Sequence, residues 1–357
     1  MRIERVEWVR VEMGLREPYT IAYETVDHAE NLFVQVVTDG PYLGFGCAAP
    51  DSWVTGETYD AAAATLGAVS GALVGADPLR RARVLHALAP MLQESPSVAA
   101  AIDMALLDLL GKVAVLPVWR LLGGFRRSMP TSGTVFIGQP DRMVTAARRF
   151  VEEGFSAIKL KGGRDPEGDA EMVRRVRAAV GKKVALRFDA NQGYTAEQAF
   201  AFLAAVEDLG LELFEQPTHR GEGVALHRVT QRASMAVMAD ESLLDLADAF
   251  RLARGELVDM INIKLMKVGG IEAALAVNAV ARAAGLEAMV GCVDESALSI
   301  AAGLHLALAR PNVEYADLDG HLDLLDDPGA GAVRLESGVL YPTDAPGLGL
   351  ARLGCFG

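Results

Sequence analysis

Three phrases in the middle of the chain each close an apolar run with one carboxylate: Arg187-Phe188-Asp189, Leu213-Phe214-Glu215 and Met238-Ala239-Asp240. The acids recur at intervals of 26 and 25 residues. One such interval holds a strand, a helix and two short loops, so the acids recur once per βα unit. In a barrel of parallel strands, successive strand ends lie side by side around one rim, and barrel chemistry takes place at that rim. Three oxygen ligands converging there read as a Mg2+ site, because hard divalent cations prefer carboxylates and keep positions open for substrate.

Two lysine positions bracket the trio. Upstream, Ala157-Ile158-Lys159-Leu160-Lys161 alternates like a strand with both lysines on one face. Downstream, Met260-Ile261-Asn262-Ile263-Lys264 is another such run, and Lys264 follows Asp240 by 24 residues. Basic groups on opposite sides of a metal can remove a proton from one face of a carbon and return it to the other. Taken singly, an Asp after a strand reads as a helix cap, and a Lys at a strand end as a solvated side chain. Five such residues in register on five successive units argue for one site.

With 357 residues, 51% of them hydrophobic, the chain can fill a barrel and an attached module. A net charge of −13 argues against nucleic acid, whose phosphates favour a basic surface. Much of the excess reads as solvated surface. Cys47, Cys292 and Cys355 are too few and too scattered for a disulfide framework or a zinc cluster. They fit a reducing cytoplasm. The opening residues Met1 to Glu7 alternate like a strand and lack the apolar segment of a signal peptide. No apolar run is long enough to span a bilayer, so no membrane is expected as a partner.

Residues 1–55 read as strands with turns: Val6 to Val11, Asn31 to Thr38, and a hairpin turn at Asp39-Gly40. Residues 58–123 read as helical, broken at Ser95-Pro96, with Ser97 able to cap the next helix. That helix carries Ile102, Ala105, Leu106 and Leu109 on one face, and Asp103 and Asp108 fall outside the stripe. Beyond about residue 130, strands are predicted at 132–137, 156–161, 184–189, 211–215, 235–240, 259–264, 287–292 and 313–317. Helical stretches separate most of them. The pattern predicts an α/β fold: a TIM-type barrel over 126–325, an α+β module over 1–125, and a tail over 326–357 that returns to the first module.

The phrases Lys159-Leu160-Lys161, Asp189-Ala190-Asn191, Glu215-Gln216-Pro217, Ala239-Asp240-Glu241-Ser242 and Asn262-Ile263-Lys264 carry a resemblance, as does Ala105 to Lys112 running on to Leu121-Leu122-Gly123-Gly124. In this order and spacing, the chain resembles the muconate-lactonizing subgroup of the enolase superfamily over nearly its whole length. The resemblance implies a modified (β/α)7β barrel with an α+β N-terminal capping domain completed by the C-terminal tail. It implies Mg2+ held by Asp189, Glu215 and Asp240, and exchange of an α-proton by Lys161 and Lys264. It implies that Lys159 helps to hold the substrate carboxylate. Thr134 matches a substrate-contacting position, or is simply a β-branched residue in a strand. A homo-oligomer is expected, as for many barrel enzymes of this kind. A lysine base must be partly neutral, and burial beside a cation is expected to lower its pKa.

Asp317-Leu318-Asp319 follows the eighth predicted strand. Alone it reads as a capped turn. In this context it resembles the motif with which dipeptide epimerases hold the substrate's α-ammonium, a group that two carboxylates suit. An N-acylamino acid racemase or an o-succinylbenzoate synthase is the alternative activity, and its substrate has no such ammonium. A catalytically silent binding protein on the same fold is a further alternative; it would have no physical need for the full set of lysines and acids. The implied partner is a dipeptide. Gly291-Cys292-Val293-Asp294-Glu295-Ser296 resembles a phrase of epimerases acting on cationic dipeptides. Glu24, in Ala22-Tyr23-Glu24-Thr25, stands where epimerases favouring acidic residues are expected to carry arginine, and Asp51 lies in the second capping loop; acids facing the pocket would repel a glutamyl side chain and attract lysine or arginine. Each of them also reads as a solvated loop acid. Cys47, where many relatives carry glutamate, either touches the pocket or packs.

Overall fold

The computed structural model describes residues 1–356. Strands β1 (Ile3–Thr20) and β2 (Thr25–Thr38) pair antiparallel, and β3 (Leu43–Ala48) adds to β2. The turn between β2 and β3 falls at Asp39-Gly40. The first two strands run well beyond the predicted segments. Their pairing continues past a register shift between Gly14 and Tyr19, which carries the hairpin tip over the barrel mouth. There Ile137 N–H donates to the Thr20 carbonyl at 2.9 Å, and Arg164 donates to the carbonyls of Ile21 and Ala22 at 2.8 and 3.0 Å.

Helices α1 (Tyr59–Leu73), α2 (Arg81–Leu92), α3 (Pro96–Ala114) and α4 (Val118–Leu121) follow. The predicted stripe of α3 is buried, but so is nearly all the rest of the helix, because it lies between the N-terminal sheet and the barrel. A Cβ on Gly46 would stand 1.9 Å from the Ala101 carbonyl oxygen, so glycine is what lets β3 lie flat against α3. Asp103 and Asp108 are buried rather than solvated. Asp103 pairs with Arg81 and accepts the Glu272 N–H at 3.0 Å. Asp108 accepts from Phe45 N–H, Leu348 N–H and the Lys112 ammonium. Ser97 does not cap α3. Ser95 occupies that position, and Glu57 accepts both the N–H and the hydroxyl of Ser97, at 3.0 and 2.8 Å.

A short strand β4 (Met129–Pro130) precedes the barrel. The barrel strands are β5 (Ser132–Val135), β6 (Ala157–Lys161), β7 (Ala185–Asp189), β8 (Leu211–Glu215), β9 (Ala236–Ala239), β10 (Met260–Lys264), β11 (Glu287–Gly291) and β12 (Val313–Asp317). They form one parallel sheet in chain order, and β12 curls round to pack beside β5. Between them run α5 (Pro140–Glu152), α6 (Pro166–Val180), α7 (Ala196–Val206), α8 (Gly223–Arg232), α9 (Leu246–Arg254), a one-turn α10 (Leu265–Val268), α11 (Ile271–Ala284) and α12 (Ala297–Ala309). No helix follows β12 within the barrel, which makes it (β/α)7β.

Alternation along the strands sorts the side chains. Phe188, Phe214, Ile261 and Ile263 face the helices and are buried. Leu213, Met238, Met260 and Met289 fill the lower barrel interior. The next residues inward and upward are polar, and they form the site. The tail's hairpin, β13 (Val333–Glu336) and β14 (Val339–Pro342), pairs with β4 and closes the barrel floor. Beyond it, Gly347 bridges to Pro117, and Leu348 N–H reaches Asp108 of α3. The tail therefore serves the barrel floor as well as the N-terminal module.

Candidate active site

Every barrel strand that ends in a charged residue delivers it to the same rim. In register, Lys161 lies beside Asp189 and Asp189 beside Glu215. Asp189, Glu215 and Asp240 are buried, and they offer oxygens within 4.8 Å of one another. Lys159, one inward position below Lys161, places its Nζ 3.0 Å from Asp189, 2.7 Å from Glu215 and 2.8 Å from Asp317. Lys161 lies 2.8 Å from Asp189, and Lys264 lies 2.9 Å from Asp240.

The acids do not titrate alike. Burial and the neighbouring Asp189 push Glu215 up to about 7. Burial would raise Asp189 too, but Lys159 and Lys161 outweigh it and hold its carboxyl below the usual range. Asp240 is likewise buried, yet Lys264 and Lys267 hold it low. Burial would lower the Lys264 ammonium, but Asp240 overrides that and raises it. The sequence expectation that burial frees a lysine base is thus not met by the protein's own charges.

The donor set fits Mg2+. Three buried carboxylates on adjacent strands give hard oxygen ligands on one side only, leaving the other side to substrate. Glu215 Oε2 and Asp240 Oδ2 accept no well-directed hydrogen bond, although lysine nitrogens stand at 2.7 and 2.9 Å. Such oxygens remain available to a cation.

Residues without an assigned role in the sequence hold this arrangement. Asn262 Nδ2 donates to Glu215 Oε1 at 2.8 Å. Gln216 Oε1 accepts from the backbone N–H groups of Asp240 and Ser242, both at 3.0 Å. Asn191 donates to Glu241 and accepts from Lys161. Asn191 and Gln216 adopt φ of 42° and 32°, left-handed conformations that turn the chain sharply after β7 and β8 and concentrate strain at the site. Lys267 is fully buried and donates to the carboxylate and the carbonyl of Asp240 and to the Asn262 carbonyl. A lysine between Met266 and Val268 in an apolar run was the available signal.

Above the trio lies a cavity of about 90 Å3. Lys159, Lys161, Lys264, Thr134, Asp317 and Asp319 line it, as do Asp240 and the loop acids Glu24, Asp51 and Asp294. Asp189 and Glu215 stand directly behind the lysines. Ile21, Tyr23 and Glu24 of the hairpin tip form part of its wall. Tyr19, which stacks on Phe136 at 3.9 Å, hydrogen-bonds to Asp294. Asp51 Oδ1 accepts the N–H groups of Trp53 and Val54 at 2.8 Å, so it also caps a turn. Cys47 is buried in the core away from this cavity and contacts Asn31, which makes it a packing residue.

Asp317 and Asp319 differ. Asp317 accepts from Lys159 and from the Ser132 hydroxyl; burial would raise it, but Lys159 holds it low, to about 2. Asp319 accepts the Thr134 N–H at 2.8 Å, and burial with the neighbouring Asp317 pushes it up to about 7.

Residues 3–123 match the family described as mandelate racemase / muconate lactonizing enzyme, N-terminal domain, and residues 142–352 match the enolase C-terminal domain-like family. An L-Lys-D/L-Arg epimerase of Methylococcus capsulatus is 39% identical over 352 residues, 98% of this chain and 99% of that protein. A dipeptide epimerase of Enterococcus faecalis, solved with Mg and L-Leu-L-Tyr, superposes with a TM-score of 0.96 at 37% identity, covering 99% of this chain and 100% of that one. The L-Ala-D/L-Glu epimerase of Bacillus subtilis, solved with a substrate ligand, gives a TM-score of 0.96 at 34% identity, again over 99% and 100%. Relatives named for, or solved with, three different dipeptides thus lie between 34% and 39% identity, so overall likeness does not separate side-chain preferences. Both family models and the end-to-end relatives agree with the rim geometry: the chain is an isomerase of the enolase superfamily, in the mandelate racemase/muconate lactonizing enzyme family.

Proposed function

We propose that the protein epimerises dipeptides at the α-carbon of the C-terminal residue, by a Mg2+-dependent 1,1-proton transfer, with a cationic side chain preferred at that residue. The observation that carries the reaction is the opposition of Lys161 and Lys264. Their strands β6 and β10 are second and sixth in a sheet of eight, so the two ammonium groups approach the space above the trio from opposite walls.

An α-proton beside a carboxylate is very weakly acidic, and its removal creates an enediolate with a second negative charge. When bound, Mg2+ supplies positive charge beside that developing anion. Lys159 adds its own charge at the same end of the substrate. Such groups stabilise the transition state more than the ground state. One of Lys161 and Lys264 takes the proton as the C–H bond breaks. The other donates a proton to the opposite face as the new C–H bond forms. No electrons are gained or lost.

Asp319 and Asp317 are assigned to the α-ammonium, with Asp319 the freer partner. N-acylamino acid racemisation or succinylbenzoate synthesis would bring no positive charge to Asp319, whereas Asp317 is already paired with Lys159. The cationic preference rests on Glu24, Asp51 and Asp294, all of which line the cavity. Burial and neighbouring acids push Glu24 up to about 7, and a substrate ammonium would favour its ionised form. A dipeptide library incubated with enzyme and Mg2+ in D2O, read by mass spectrometry, tests the reading. Deuterium is expected at the C-terminal α-carbon, with Lys and Arg dipeptides leading. Exchange in N-acylamino acids but in no dipeptide would sink it.

A further inference from the structure

We infer that Asn191 and Glu241 form a relay that positions Lys161, and that Lys264 lacks a matching one among the described residues, so the two proton-transfer groups are unequally held. This rests on the assignment of Lys161 and Lys264 as the bases. Lys161 Nζ makes two directed hydrogen bonds, to Asp189 Oδ2 at 2.8 Å and to Asn191 Oδ1 at 3.1 Å. Asn191 Nδ2 in turn donates to Glu241 Oε1 at 3.2 Å. Lys264 Nζ lies 2.9 Å from Asp240 Oδ2, but that contact is not directed as a hydrogen bond.

The middle of the relay needs a carboxamide, which carries both an acceptor and donors. The flanking charges fix its orientation: the Lys161 ammonium takes the oxygen, and the Glu241 carboxylate takes the NH2. An aspartate there would set two carboxylates against each other, and an apolar residue would make neither bond. Asn191 is also anchored through its backbone. Its N–H donates to Asp189 Oδ1 at 2.8 Å, and its φ is 42°, a left-handed conformation that asparagine adopts more readily than most residues. Asp189 thus fixes both Lys161 and the residue that orients it.

Glu241 is the far end. It lines the cavity above the trio and is only 2% exposed. Its Oε2 has no hydrogen-bond partner among the described residues. A buried carboxylate so poorly satisfied is costly. Its backbone is nevertheless pinned on both sides, since Gln216 Oε1 accepts the N–H groups of Asp240 and Ser242, both at 3.0 Å. A rigid turn that buries an acid against Asn191 is suited to anchor it: a carboxylate beyond β9 holds a carboxamide beyond β7, which holds the ammonium at the end of β6.

The test follows initial α-proton exchange in D2O with Mg2+, separately for the L,L and L,D isomers of the dipeptide turned over fastest. Lys161→Ala identifies the isomer that Lys161 serves. Asn191→Gly keeps the left-handed backbone and removes the carboxamide. Glu241→Leu removes the acceptor, and Glu241→Gln keeps one. Small misplacements of a reacting group cost up to about a hundredfold. Asn191→Gly and Glu241→Leu should therefore slow exchange of that isomer about ten- to hundredfold and leave the other at the parental rate. Glu241→Gln should stay near the parental rate on both. Because Glu241 acts through Asn191, the double variant Asn191→Gly/Glu241→Leu should be no slower than Asn191→Gly alone. Where Asn191→Gly does not fold, the contrast between Glu241→Leu and Glu241→Gln decides. Equal slowing of both isomers in a folded variant, Glu241→Gln slowing like Glu241→Leu, or losses that multiply in the double variant overturns the relay. One-sided loss in Lys161→Ala with parental exchange in the relay variants overturns the relay alone, whereas parental exchange of both isomers in Lys161→Ala overturns the base assignment with it.

Discussion

Lys161 and Lys264 hold different carboxylates of one trio: Lys161 Nζ lies 2.8 Å from Asp189 Oδ2, and Lys264 Nζ lies 2.9 Å from Asp240 Oδ2. The two lysines are therefore fixed by the same groups that fit the metal, on opposite walls of the barrel. Lys161→Ala and Lys264→Ala are each expected to stop net epimerisation. Loss of a positioned acid or base costs about 10²–10⁴-fold. Each variant should retain α-proton exchange for one stereoisomer only, followed by NMR in D2O. Exchange of both isomers at parental rates in either variant would show that the base is misassigned.

Metal dependence follows from the trio. Chelation should abolish activity, and added Mg2+ should restore it. A ligand that binds the folded state raises its stability by mass action, about 2.7 kcal/mol at a hundredfold excess over Kd. Mg2+ should therefore raise the melting temperature of the parent protein. Asp189→Asn, Glu215→Gln and Asp240→Asn should each shift that response to higher Mg2+ concentration and remove most activity. Full activity in the chelated parent would reject the mechanism.

The barrel and the rim were legible because both are written locally. Alternation places Lys159 and Lys161, Arg187 and Asp189, and Asn262 and Lys264 on the inward faces of their strands, and the 24- to 26-residue interval repeats the βα unit. The supports were less legible, because their partners are distant or turn back on themselves. Tyr19 meets Asp294 across 275 residues, a contact made only when the hairpin tip overhangs the barrel. Glu57 replaces Ser97 at the start of α3 from 40 residues away. Lys267 follows Lys264 by three positions, but the strand gives way to the single turn of α10, and that turn points Lys267 back at Asp240.

Lys267 offers a test of that support. Burial lowers its ammonium against the pull of Asp240, so the pair is a desolvated one. Breaking a buried ion pair by removing one partner costs about 3–5 kcal/mol. Lys267→Met should lose stability on that scale in urea unfolding and should need more Mg2+ for half-maximal activity. A loss below about 0.5 kcal/mol, the ordinary range for surface substitutions, would show that Lys267 is not carrying Asp240.

Specificity gives the last prediction, and pH is its most direct probe. Burial pushes Asp294 up to about 6 against the Tyr19 hydrogen bond, and burial with Asp51 and Asp294 pushes Glu24 up to about 7. The folded protein therefore keeps these protons at pH values where the unfolded chain has lost them. Their contribution to stability is full below the unfolded pKa and is lost as pH rises through about 6 to 7. A cationic substrate acts in the opposite sense, because it favours the ionised acids. The ratio of kcat/KM for Ala-Lys to that for Ala-Met should rise as pH increases through the same window, while lysine-base ionisation cancels in the ratio. A desolvated acid facing the substrate is worth about 3–5 kcal/mol when its partner is removed, and a solvated one at most about 1 kcal/mol. Asp294→Asn should therefore lower Ala-Lys turnover about a hundredfold or more relative to Ala-Ala, and it should flatten the pH dependence of the ratio. Asp51→Asn should act in the same direction but less, since one oxygen of Asp51 already caps the Trp53–Val54 turn. Equal losses on both substrates would reject the cationic pocket and leave the dipeptide assignment, which rests on Asp317 and Asp319, standing.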